Sequence, residues 1–120
     1  MAVYSIEVLS GSTNGLGIKV TGTSSAASVD IHTAVTGTTD IDLVTLYAVN
    51  QDADGEARTL HLGFGGETDP DNIISVPVPN KVGPVAVLDR LPLRNTLVIT
   101  AWVDEANDVM VYGRVERVDK

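Results

Sequence analysis

The chain contains no cysteine. Disulfides, a thiol nucleophile and thiolate metal ligands are therefore excluded, and the redox compartment is left open. No apolar run reaches the roughly 18 residues needed to span a bilayer, so no membrane partner is expected. The start, MAVYSIEVLSG, has neither a basic n-region nor a long apolar stretch, and no signal peptide is expected there. Bases are scarce: 8 Lys and Arg stand against 16 Asp and Glu, for a net charge of −8. A phosphate backbone needs a basic surface, so nucleic acid is not an expected partner. No window carries a helical repeat of apolar residues.

What is present is alternation. Tyr4, Ile6 and Val8 alternate with Ser5 and Glu7. Leu16, Ile18 and Val20 alternate with Gly17 and Lys19, and Leu60, Leu62 and Phe64 with Thr59, His61 and Gly63. Val29, Ile31 and Val35 share parity with Thr33, which puts Asp30 and His32 on the polar side. This period of two is the mark of strands with one face inward. Ile41–Val49 is apolar on both parities and reads as a central strand covered on both faces. Turn-formers separate the runs: GSTNG at 11–15, TGTSSAAS at 21–28, TGTTD at 36–40 and TDPDN at 68–72. Nine candidate strands at short spacing predict an all-β fold, an antiparallel β-sandwich of jelly-roll or Greek-key type. A chain of 120 residues has the size of one domain, here 1–120. It is long enough to bury a core without a metal or a disulfide.

All five prolines fall between residues 70 and 92. Proline donates no ladder hydrogen bond, so VPVPNKVGP, with Pro77, Pro79 and Pro84, is not a central strand. It is either an edge protected from strand addition or an arm laid along a neighbouring subunit. Charge is also uneven. Residues 1–80 hold ten acids against Lys19 and Arg58, whereas residues 81–120 hold six acids and six bases. This pattern fits simple solubility, or a last third that faces a partner.

Candidate chemistry is thin. Asp52, Asp54 and Glu56 in NQDADGEA imitate the opening of a calcium loop. Gly55 comes one residue early, no distant glutamate follows, and strands rather than helices flank the loop. Asp54-Gly55 instead predicts the tip of a hairpin, where substitutions are expected to be tolerated. His32 and His61 lack zinc-motif spacing and read as surface or satisfied sheet residues. GFGG at 63–66 reads as a strand end or bulge rather than a phosphate cradle. No G-x-S-x-G elbow occurs. No catalytic residue, cofactor or metal is expected, and the chain is not expected to be an enzyme.

The richest segment is Leu88–Val118. Two strands joined by DEAND at 104–108 predict a hairpin in which Val103 opposes Val109, Ala101 opposes Val111, Ile99 opposes Gly113 and Leu97 opposes Val115. The second face then gathers Thr100, Trp102, Met110, Tyr112 and Arg114, residue types enriched at interfaces. Cover by the same subunit, a subunit interface and a sugar-binding platform are all open for this face.

The lead Leu91-Pro92-Leu93, the strand LVITAWV, a polar turn with Ala106-Asn107 and the closing VYGRVERV together resemble small virion proteins of tailed bacteriophages. The resemblance covers residues 88–118. It implies a structural protein made in the host cytoplasm and carried on the virion, of the capsid decoration (cement) or head-fibre type. It also implies a small β-sandwich, a homotrimer and the major capsid protein as partner. A carbohydrate- or receptor-binding β module is the alternative.

Overall fold

The structure, a computed structural model, describes residues 3–119; Met1, Ala2 and Lys120 lie outside it. Nine strands follow in order: β1 (Val3–Glu7), β2 (Ile18–Lys19), β3 (Val29–Thr33), β4 (Ile41–Asn50), β5 (Arg58–Phe64), β6 (Ile73–Val78), β7 (Val85–Leu93), β8 (Val98–Val103) and β9 (Val109–Asp119). The fold is all-β, as the alternation predicts. One short 3-10 turn, Ser25–Ala27, interrupts it.

The strands form two antiparallel sheets. The first runs β1-β9-β4-β7, with β2 also paired to β9, and the second runs β3-β8-β5-β6. Beyond the 65–72 loop the chain doubles back on itself. There β5 pairs with β6, β4 with β7, β3 with β8, and β1 and β2 together with β9. One long hairpin wound into two facing sheets is a jelly roll. β1 and β2 share its first-strand position.

The core lies between the sheets. Leu9, Ile31, Leu46, Leu60, Leu62 and Ile99 are fully buried there. Each contributes about 1.5–3 kcal/mol relative to an exposed position. β4 is central in its sheet, as predicted, flanked by β9 and β7. Its inward parity is Asp42, Val44, Leu46, Ala48 and Asn50, all buried. Its outward parity is half-covered except at Thr45, which is buried, so the cover on the outer side is partial.

Three expectations need correction. β8 and β9 are not a hairpin, because they belong to opposite sheets. Of the face expected to be core, Val103, Ala101, Ile99, Val109, Val111 and Val115 are buried, but Leu97, which precedes β8, is exposed. The buried residues share the core across the sandwich rather than along a ladder. The acidic turn is likewise no hairpin tip, since β4 and β5 lie in different sheets and residues 51–57 arch between them. His32 is not on a polar face. A register shift between Asp30 and His32 turns both Ile31 and His32 inward.

The proline-rich segment lies at an edge of the sandwich. Pro77 lies in β6 and Pro92 in β7, the outermost strands on the same flank of the two sheets. Pro79 follows β6, and Pro84 immediately precedes β7. Prolines here remove donors that a foreign strand would use.

Candidate functional site

Two buried polar networks occupy the ends of β4. At its start, Asp42 Oδ2 lies 2.9 Å from His32 Nε2 and accepts the Val35 N–H at 3.0 Å. Arg117 donates to Oδ1 from Nε at 2.8 Å and to Oδ2 from Nη2 at 3.1 Å. The Ser10 N–H donates to His32 Nδ1 at 3.0 Å. Nδ1 is therefore an acceptor, so Nε2 carries the proton and the ring is the neutral donor to Asp42. Serine, histidine and aspartate meet here, but not as a triad. The Ser10 backbone rather than its hydroxyl approaches the ring, and Ser10 Oγ accepts the Thr33 N–H at 2.7 Å. His32 belongs to one sheet and Asp42 and Arg117 to the other, so the network staples the sandwich. Burial alone would raise the Asp42 pKa, but hydrogen bonds from Arg117 and His32 outweigh it and hold the carboxyl below its ordinary 3.8.

At the other end, Asp52 is buried rather than a free turn residue. Its Oδ2 accepts the Glu56 N–H at 2.7 Å and faces Arg58 at 3.4 Å. Arg58 also reaches Asp108 at 3.0 Å. The Glu56 N–H chiefly, with the Asp54 N–H and the Arg58 charge, lowers the Asp52 pKa against the opposing effect of burial. Asn50 ties the arch down, donating to the carbonyls of Glu56 and Val78 at 2.9 and 3.0 Å. The Asp52 carboxylate serves the backbone of its own arch. Among the described residues no group of three or more candidate ligands is arranged to hold a metal.

The face expected to gather Thr100, Trp102, Met110, Tyr112 and Arg114 is split between the two outer surfaces. Thr100 and Trp102 stand on the outside of the β3-β8-β5-β6 sheet, whereas Met110, Tyr112 and Arg114 stand on the outside of the other. On the latter, Tyr112 pairs with Tyr47, Met110 with Val49, and Arg114 with Thr45. Tyr4, on β1, donates its hydroxyl to Glu116 Oε1, and Arg90 reaches Glu116 Oε2 at 2.7 Å and the Tyr4 hydroxyl at 3.1 Å. This polar brace runs from β1 across to β7. Beside it lies an apolar flank. Ile6 is 69% exposed, Leu16 68%, Tyr4 54% and Val8 51%. The apolar parity of β1 thus faces solvent, opposite to what half-buried alternation predicts. The Tyr112 ring covers Gly17, where a Cβ would sit 2.7 Å from it.

The other outer surface carries a groove. Trp102 and His61 sit opposite each other on β8 and β5, their rings stacked with centroids 5.6 Å apart. Ser75, across β6, holds His61 Nδ1 at 2.8 Å. The 65–72 loop folds back over this sheet because residue 63 is glycine. A Cβ there would lie 2.6 Å from the Gly66 carbonyl and 2.8 Å from Glu67 Cγ. Glu67 is fixed above the sheet by the hydroxyls of Ser28 at 2.6 Å and Thr100 at 2.7 Å, both donating to Oε2. Those two bonds, Ser28 first, lower its pKa. The reading of GFGG as a strand end stands, since β5 stops at Phe64 and Gly65 takes φ 79°. Sequence reasoning missed Glu67 as a placed carboxylate. The available signal was the glycine inside a strand, which marks close approach of another segment.

Comparison with known proteins finds no matching family model, no matching curated protein and no matching solved structure.

Proposed function

We propose that the chain is a structural subunit of a tailed-bacteriophage virion, of the capsid decoration type. It docks on the shell through the outer face of the β1-β9-β4-β7 sheet and stabilises it. One observation carries the reading: β1 turns its apolar parity to water. Tyr4 and Ile6, with neighbouring Val8 and Leu16, present large apolar side chains on one flank beside Tyr112. Large apolar side chains left in water together favour association. The resemblance of residues 88–118 to phage virion proteins supports the same reading, as does the jelly roll, an architecture used by viral capsid and lectin domains. Fold alone does not set function, so the weight rests on the face.

In this reading the chain is made in the host cytoplasm, assembles as a homotrimer and meets the major capsid protein. Three copies sharing one attachment point gain avidity that one small face lacks. Light scattering of the purified protein tests the assembly, with a trimer expected and a monomer at high concentration counting against it. Ile6→Asp places a charge in the flank and is expected to abolish sedimentation with particles, while the thermal melt stays close to that of the parent.

A further inference from the structure

We propose that the groove on the outside of the β3-β8-β5-β6 sheet binds an uncharged saccharide. The site stands independently of the virion reading, because it lies on the opposite outer surface. Two adjoining hollows, of about 330 and 600 Å³, meet at Ser25 and Glu67. That is the size range of small-molecule sites.

Their chemistry is specific. Trp102 and His61 give one hollow an aromatic wall. The apolar C–H face of a pyranose packs on such a ring, and Trp offers large contact area at little entropic cost. Glu67 and Asp69 line the same hollow, and Asp30 and Glu67 line the next. Carboxylates accept hydroxyl protons in charge-assisted bonds, the stronger kind. Glu67 is held before any ligand arrives, because Ser28 and Thr100 occupy only Oε2. Its other oxygen keeps its acceptor capacity at no ordering cost on binding. Ser75 and Ser25 add hydroxyls to the wall. The three carboxylates also select against anionic sugars, since like charges disfavour one another at these distances. A ring with many hydroxyl donors, one apolar face and no negative charge satisfies every group.

Trp102 is the one tryptophan of the chain, so its emission reports the site directly. Neutral oligosaccharides (malto-, cello-, manno- and N-acetylglucosamine oligomers) and the anionic oligogalacturonates are titrated against the folded parent protein. At least one neutral series is expected to shift Trp102 emission saturably, and the oligogalacturonates are not. Glu67→Gln and Asp69→Asn are each expected to weaken binding by at least about tenfold while leaving the melt near that of the parent. Trp102→Ala, followed by calorimetry, is expected to abolish it. Ile6→Asp, on the other surface, is expected to bind as the parent does. Silence from every neutral series, equal binding of the anionic oligomers, or binding unchanged in both carboxylate variants would each overturn the proposal. None of these results bears on particle attachment, so the two readings fail separately.

Discussion

Asp42 ties the two sheets together through its side chain. It has no exposure to solvent and takes bonds from the other sheet, from its own and from the backbone. Asp42→Ala strands the Arg117 guanidinium and the His32 ring, and should cost about 3–5 kcal/mol, measured by urea unfolding. The same carboxylate sets an acid limit. Its folded pKa lies below the ordinary 3.8, so near that pH the unfolded chain binds the proton first. Its stabilisation is present above about pH 4 and is lost as pH falls through the depressed value. Asp42→Asn should show a shallower loss of stability than the parent across that window. In the neighbouring arch the two aspartates should part company. Asp54 is exposed and Asp54→Asn should leave the melt unchanged, whereas Asp52→Asn should lower it by weakening the hold on Glu56 and Arg58. The sequence hid this difference, because both residues occur in one polar turn and only the arch between sheets buries one of them.

Strand existence was legible, and strand partnership was not. The alternation marks β1, β2, β3 and β5 as strands, the run apolar on both parities marks β4, and the turn-formers fall between strands. Matching faces cannot tell a neighbour in the same sheet from one across the core, and so β8 and β9 read as a hairpin. Alternation also has no sign: in β1 it correctly separates two faces, but the apolar one is outside. The two histidines show the same limit. His61 lies on the polar parity as read, while a bulge in β3 carries His32 inward. The contact of β9 with β4 gives a test at this scale. A Cβ on Gly113 would meet the Thr45 carbonyl oxygen at 2.1 Å and Leu46 Cδ2 at 3.0 Å. Backbone cannot yield as a flexible side chain does, so Gly113→Ala should destabilise by about 1–3 kcal/mol in urea unfolding. A parent-like melt would mean that β9 does not sit against β4 as described.

The molecule as a whole presents two unlike surfaces. One carries the apolar flank of Tyr4, Ile6, Val8 and Leu16 beside Tyr112, and the other carries the groove of Trp102, His61 and Glu67. A subunit fixed by the first would hold the second toward solvent. The residues singled out in the C-terminal segment belong to both, so a substitution in one surface should leave the other intact. Sedimentation of the purified protein with intact particles of its own virus, with electron microscopy of the decorated shells, tests the central claim most directly. The account predicts that the parent and Trp102→Ala bind with the β1-β9-β4-β7 sheet against the shell, and that Ile6→Asp stays in solution. A parent that ignores the particles, or one that binds them through the Trp102 surface, would contradict it.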